Sequence, residues 1–146
     1  VAIYLHPATK ILAGHEEALQ FIEKSYHNLG FRHLRRLPVS GAFHTELMRP
    51  AVAPFKKALE KVDIEMPRIK VFCNVTGKPY RNEVEIRKQL VKHLVRPVKW
   101  EQILHLLYSR PQEVDFPRTF DMGSNGVMKG IMARVNSQAA KTCFIV

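Results

Sequence analysis

The chain has 146 residues, 46% of them hydrophobic and 25% charged, a balance typical of a globular protein long enough to bury a core. A membrane-spanning helix is excluded because no run approaches about 18 apolar residues, and no signal peptide opens the chain. The formal net charge of +10 indicates an acidic protein partner or the basic bias of mitochondrial matrix proteins, whereas nucleic acid is disfavoured because the basic residues are scattered without interleaved aromatic residues.

The first predicted elements form a strand–helix–strand unit typical of part of a small subdomain. Val1–Leu5 is strand-like and lacks an initiator Met, so we expect the chain to be a piece of a longer protein. A short strand at Lys10–Ala13 precedes a helix over residues 18–29, whose apolar residues share one face. Phe31–Leu37 then alternates as a returning strand does, and Pro38 ends it.

The next stretch, Val39–Met48, places His44 on a short loop between a strand-like and a helix-like run. Imidazole has an unperturbed pKa of about 6.5, so this side chain can act as a general base at neutral pH. The alternative is a structural loop histidine that hydrogen-bonds to the backbone. The local sequence by itself favours this alternative.

Helices and short strands alternate through the rest of the chain. Apolar residues at helical spacing predict a helix over 48–62, with Pro50 in its first turn and a bend at Pro54. The remaining predicted elements are a strand at Ile69–Val75, helices over 86–94 and 100–108, a strand at Arg118–Met122, a helix over 127–135 and a strand at Cys143–Val146. This alternation predicts an α/β fold with a mainly parallel sheet. The strands are few for such a sheet, so we expect its central strands to be missing.

A nucleophile for His44 is not found in the sequence. The elbow pattern GxSxG is absent, and none of the five serines lies between glycines in that frame. Cys73 and Cys143 lack disulfide-framework spacing, which favours a reducing compartment and a buried structural role. The seven histidines show no metal-ligand spacing, so we expect no metal site.

Four segments, taken in order, resemble the malonyl-CoA:acyl carrier protein transacylase family, and its mitochondrial animal type most closely. They are Ile11–Leu19, Leu37–Met48, Asn74–Val75 and Pro97–Trp100. The segment around His44 and the Pro-Val-Lys-Trp run are the most specific. The resemblance spans nearly the whole chain but only the C-terminal half of the family's domain.

This resemblance implies an α/β-hydrolase-like acyltransferase domain that carries a ferredoxin-like small subdomain, with the active site between them. Residues 1–38 would be part of the small subdomain, and residues 39–146 the C-terminal part of the acyltransferase subdomain. Two positions depart from the family pattern. Ile3 stands where asparagine is common, and residues 121–126 replace a more usual Glu-x-Gly-Pro-Gly turn.

The resemblance also implies roles for three residues. His44 would be the catalytic base of a Ser–His pair, oriented by the main-chain carbonyl of His93, a position where glutamine is usual in the family. Phe43 would be the bulky residue that leaves no room for a branched acyl chain. The serine, its oxyanion donors and the arginine that binds the malonyl carboxylate would all lie upstream of Val1.

The function implied is malonyl transfer from coenzyme A to the phosphopantetheine thiol of an acidic acyl carrier protein in fatty acid biosynthesis. It needs no cofactor beyond malonyl-CoA and the holo carrier protein, and it places the protein in the mitochondrial matrix, as a monomer when full length, with no nucleic-acid or membrane partner. The isolated 146 residues would be inactive. The alternative is a non-catalytic truncated form that binds acyl carrier protein.

Overall fold

The computed structural model describes residues 1–111 and 113–146 as a mixture of helices and short strands. The elements, in chain order, are β1 (Ile3–His6), β2 (Thr9–Ile11), α1 (Glu16–Ser25), a 3₁₀ helix (Glu46–Ala51), α2 (Val52–Leu59), α3 (Glu83–His93), α4 (Trp100–Tyr108), β3 (Thr119–Asp121), α5 (Val127–Val135), α6 (Ser137–Lys141) and β4 (Cys143–Ile145). The predicted α/β class is confirmed.

The strands form two small sheets instead of the one mainly parallel sheet predicted. β1 and β2 are an antiparallel pair in which Ile3 lies opposite Ile11. β3 and β4 are parallel, with α5 and α6 as the crossover between them, which is a βαβ unit. The main chain before α4 also joins β1, because Tyr4 N donates to Val98 O over 2.9 Å. This hydrogen bond joins the two predicted subdomains, residues 1–38 and residues 39–146. The boundary between them at residue 38 stays a prediction.

Two predicted strands are wrong. Phe31–Leu37 has no strand conformation, and within Ile69–Val75 the ladder is reduced to a single bridge between Phe72 and Pro79. A strand is stable when its backbone N–H and C=O groups pair with a neighbour. In the described part of the chain neither segment has a partner strand, so neither becomes one.

Three predicted helices differ at their ends, and one of them, α3, begins at Glu83 instead of residue 86 and ends at His93 instead of residue 94. α1 ends at Ser25 instead of residue 29, and a turn carries the chain to Gly30, whose φ of +82° suits glycine. The helix predicted over 48–62 begins as the 3₁₀ helix and continues as α2. The change of helix type falls between Ala51 and Val52, and Pro54 lies in the first turn of α2, where a missing N–H removes no intrahelical bond.

The main core lies between α4, α5, α6 and β4. Its buried residues are Leu104, Tyr108, Met132, Ala139, Ala140 and Cys143. Both cysteines are free and buried, as predicted, and burial raises the pKa of the Cys143 thiol. In the part of the chain that the structure describes, no helix is long and apolar enough to cross a membrane.

The turn between β3 and α5 is fixed by Asp121. Its carboxylate accepts hydrogen bonds from the Ser124 hydroxyl and, over 3.0 Å, from the backbone N–H of Lys129. The hydrogen bond from the Ser124 hydroxyl is the main reason why the pKa of Asp121 lies below its usual value. The backbone N–H groups lower this pKa further, whereas burial raises it. Asp121 therefore supplies a negative charge at the positive end of α5.

Candidate active site

His44 is held by two consecutive carbonyl groups at the C-terminal end of α3. Its backbone N–H donates to Leu94 O over 3.0 Å, and its ring nitrogen Nδ1 lies 2.8 Å from His93 O. The two contacts fix both the main chain and the ring of one residue. The loop that carries His44 is therefore tied to a helix 49 residues further along the chain.

The carbonyl of His93 is free because of the sequence that follows it. In a continuing helix this oxygen would accept from the N–H four residues later, but that residue is Pro97, which has no N–H. α3 ends instead with a 3₁₀-type hydrogen bond that spans three residues, in which Val95 N donates to Lys92 O over 3.1 Å. The exposed carbonyl is then available to a side chain from elsewhere in the fold.

The backbone of His44 is in a left-handed conformation, with φ of +63°. This region is uncommon for residues other than glycine and costs of the order of 1 kcal/mol. Thr45 braces the turn, since its hydroxyl donates to Ala42 O over 2.7 Å and accepts from Leu47 N over 3.3 Å as the cap of the 3₁₀ helix. Such strain persists where the surrounding contacts enforce it, and it is typical of functional positions.

The contact with His93 O selects one tautomer of His44. A carbonyl oxygen accepts and cannot donate, so Nδ1 must carry the proton. Nε2 is then left with its lone pair, which is the state a general base needs. The half-buried ring is thus arranged as a base oriented by a neutral main-chain group.

The side chain of His93 lies beside that of His44, with 4.6 Å between the ring centroids and a tilt of 35°. Burial is the main cause that lowers the pKa of His93, and the positive charge of His44 lowers it further. His93 is thus the neutral member of the pair when His44 is protonated. The sequence reasoning used the carbonyl of this residue and did not foresee its ring as a neighbour of His44.

Phe43 precedes His44 and is 40% exposed. Its ring lies near Gly41, where an added Cβ would be 3.9 Å away. Its role in selecting the acyl group stays a prediction.

In the described part of the chain, the hydrogen bonds of His44 go to main-chain carbonyls and not to a serine or cysteine.

A groove of about 530 Å³ between α2 and α3 is lined by four basic, two acidic and two apolar side chains. Lys56 comes from α2, and Arg87, Lys88 and Lys92 come from α3. Arg87 joins the two helices by donating to Val62 O over 2.9 Å and to Leu59 O. The sequence showed three basic residues within one helix, but it did not show that they lie opposite α2.

Among the residues described, no cluster of His, Cys, Asp and Glu could hold a metal ion.

Comparison with known proteins finds similar sequences, although no protein-family model matches the chain. A probable malonyl-CoA-acyl carrier protein transacylase, mitochondrial, of Drosophila melanogaster is 49% identical over 146 residues, which is 100% of this chain and 38% of the relative. The human mitochondrial malonyl-CoA-acyl carrier protein transacylase is 45% identical over 142 residues, 97% of this chain and 36% of the relative. The chain therefore spans well under half the length of the curated relatives it matches.

Solved structures are similar as well. A malonyl-CoA:acyl carrier protein transacylase of Xanthomonas oryzae superposes with a TM-score of 0.80 at 26% identity, over 99% of this chain and 43% of that one. A second, from Streptococcus pneumoniae, gives a TM-score of 0.83 at 21% identity over 99% of this chain and 45% of that one, and shows the fold alone. The acyltransferase fold expected from the sequence is confirmed over the length of the chain.

Proposed function

The chain belongs to the malonyl-CoA:acyl carrier protein transacylase family, as a C-terminal portion of it, and from this premise we propose that the intact protein transfers malonyl groups from coenzyme A to an acyl carrier protein in fatty acid biosynthesis. The observation that carries the proposal is the Nδ1 contact of His44 with His93 O at 2.8 Å. It supplies an oriented base in a chain that is 49% identical to such a transacylase.

In the proposed reaction, a serine outside this chain is the nucleophile and His44 is the base. Nε2 of His44 takes the serine proton while the oxygen attacks the malonyl thioester carbon, and the carbon–sulfur bond breaks. The proton then passes to the departing coenzyme A thiolate. The product of this half-reaction is a malonyl ester on the serine.

The second half-reaction returns the malonyl group to sulfur. Nε2 of His44 takes the proton of the carrier's phosphopantetheine thiol, the thiolate attacks the ester carbon, and the carbon–oxygen bond breaks. The serine oxygen recovers its proton from His44, so the enzyme ends in its starting state. Because His93 O accepts from Nδ1–H throughout, it stabilises the imidazolium without a carboxylate.

Phe43 is the proposed selectivity residue, because its ring precedes the base by one position and would occupy the space that a branched acyl chain needs. The two half-reactions consist of proton transfers and acyl exchange, so we include no cofactor in the proposal. Malonyl-CoA and the holo carrier protein are its substrates.

The proposed partner is an acidic acyl carrier protein. A related malonyl-transacylase has been solved in complex with its acyl-carrier protein, and the net charge of +10 on this chain suits electrostatic steering of an acidic partner. The relatives named mitochondrial support a mitochondrial location, and we place the intact monomeric protein in the matrix.

A second function is favoured by the lack of a GxSxG serine in these 146 residues. The chain by itself would bind acyl carrier protein without turnover. A salt-dependent binding signal for the carrier, with no malonyl-enzyme detected by mass spectrometry, would support this second function for the isolated chain.

The proposed function is tested with His44→Gln in the intact protein. We expect kcat for malonyl transfer to fall by about 10²- to 10⁴-fold, the usual contribution of a positioned general base. His33→Gln is the matched control, because His33 is exposed and lies on the segment before the loop. Full activity of the His44→Gln variant would show that His44 is not the general base.

A further inference from the structure

The imidazole of His93, as distinct from its carbonyl, is in contact with the ring that the proposed function uses as its base. The centroid distance of 4.6 Å and the tilt of 35° lie in the range where aromatic rings attract one another. His93 ends α3, so the ring projects from a rigid element.

No hydrogen bond explains why the His93 ring lies where it does. Its Nε2 atom is buried and has no hydrogen-bond partner among the residues described. Buried N–H groups without an acceptor are rare in folded proteins, and buried acceptors without a donor are somewhat less so. The ring is therefore best accommodated uncharged, with Nε2 unprotonated, and burial lowers the pKa of His93 in the same direction.

We propose that the His93 side chain is a positioning residue for His44: its uncharged ring covers one face of the His44 ring and keeps Nδ1–H on the carbonyl of His93. This inference rests on the proposed function, in which His44 is the base. One residue then restrains the His44 ring twice, at its edge through the carbonyl and at its face through the imidazole. A ring held in this way presents Nε2 in one direction in both half-reactions.

The absence of charge on His93 is part of the proposal. His44 becomes positive each time it takes a proton from the serine or from the thiol. A second imidazolium 4.6 Å away would oppose that step, because like charges at this separation disfavour each other's charged forms. A neutral ring gives the packing restraint without this penalty.

The test replaces His93 in the intact protein by alanine and by phenylalanine, both of which leave the carbonyl in place. We expect His93→Ala to lower kcat about tenfold, within the range that misplacement of a catalytic group costs. KM for malonyl-CoA should stay unchanged, because the proposed role of the ring is to hold the base and not to bind substrate. His93→Phe keeps a ring against His44 and should recover most of the lost kcat.

A spectroscopic measurement tests the same inference without activity. In protein labelled with ¹⁵N-histidine, we expect the Nδ1–H tautomer of His44 to dominate in the parent protein and in His93→Phe. In His93→Ala the two tautomers should mix. If His93→Ala fails to fold, His93→Leu replaces it, with the same direction expected because leucine has no ring.

The inference is overturned if His93→Ala keeps both the parental kcat and the parental tautomer, or if His93→Phe is as impaired as His93→Ala. These results differ from failure of the proposed function. If His44→Gln keeps full activity, His44 is not the base, and the tautomer spectra still decide whether His93 orients it.

Discussion

At the scale of single residues, the orientation of His44 comes from helix-end geometry. A proline four residues after His93 leaves one carbonyl of α3 without its helical partner, and the Nδ1 contact of 2.8 Å occupies it. A neutral carbonyl binds an imidazolium less strongly than a carboxylate does, but its position is fixed by the helix. The carbonyl contact is thus set by main-chain geometry, and the His93 ring adds a second restraint on the same imidazole.

The size of Phe43 gives a prediction on substrate choice. Phe43→Ala in the intact protein should raise kcat/KM for methylmalonyl-CoA relative to malonyl-CoA by about tenfold, because one extra methyl group in an apolar pocket is worth about 10- to 200-fold. The two kcat/KM values, measured in parallel, give the ratio. Phe21→Ala is the matched control, since Phe21 is 61% exposed on α1. An unchanged ratio in Phe43→Ala would refute the selectivity role.

The residues of the candidate site could be chosen from the sequence only in part. His44 and the His93 carbonyl were singled out through segments that resemble a known family, and local pattern by itself favoured a structural histidine. The ring pair was not predictable, because His44 and His93 are 49 positions apart and the sequence carries no signal of their contact. Pro97 was a usable signal, since a proline four residues after a helical position predicts a free carbonyl there.

At the scale of elements, the start of α5 depends on a glycine. Gly126 has φ of +85°, and a Cβ added there would lie 2.8 Å from Ile145 Cδ1 in β4. Gly126→Ala should therefore destabilise the intact protein by about 1–2 kcal/mol from the left-handed backbone alone, with the clash adding to it. Urea unfolding measures this loss.

Gly130 in the same helix is the matched control for that prediction. Nothing lies within 4 Å of a Cβ added at Gly130, and its position in the interior of α5 favours alanine. Gly130→Ala should stabilise by about 0.5–1 kcal/mol. Equal effects of the two substitutions would contradict the structure of the β3–α5 turn.

Asp121 gives this same turn a pH dependence. Its pKa is held below the usual value, first by the Ser124 hydroxyl and then by backbone N–H groups. A depressed carboxyl pKa stabilises the folded state at pH values above the unfolded pKa of about 3.9. That stabilisation is lost as the pH falls through the lower folded pKa.

Asp121→Asn should therefore be less stable than the parent protein at neutral pH. The difference between their urea midpoints should be constant above about pH 5 and should shrink below about pH 4, because only the parent loses a charge there. Asp63→Asn is the control, since Asp63 is exposed. A difference that does not change with pH would show that the carboxylate charge does not stabilise this turn.

The elements that the sequence predicted well are those whose pattern is local. Helical periodicity gave α4 and α5 nearly at their observed bounds. The wrong elements, such as the strand at Phe31–Leu37, depend on a partner strand that an alternating pattern cannot supply. α6 was missed because its five residues are too few for a periodic signal.

At the scale of the whole molecule, the β3–β4 sheet exposes more apolar surface than a finished α/β domain would. The exposed side chains on the two strands, and on the residue that follows each strand, are Phe120 (51%), Met122 (72%), Phe144 (45%), Ile145 (55%) and Val146 (64%). Parallel sheets are normally covered on both faces. Since this chain spans 38% of a curated relative, we expect the rest of the family's domain to cover this surface in the intact protein.

The 146-residue chain produced alone should therefore behave as an incompletely covered domain. We expect it to bind a hydrophobic dye such as ANS, to self-associate, and to melt without a sharp transition, because exposed apolar strands promote association. The intact protein should show none of these properties.

Met122→Lys in the isolated chain should reduce dye binding, since Met122 is the most exposed of the five residues. Val84→Lys is the control and should not reduce dye binding, because Val84 is also exposed but lies on α3. A sharp and reversible calorimetric transition of the isolated chain would mean that α4, α5, α6 and β4 form a self-sufficient core, and that the β3–β4 face needs no cover.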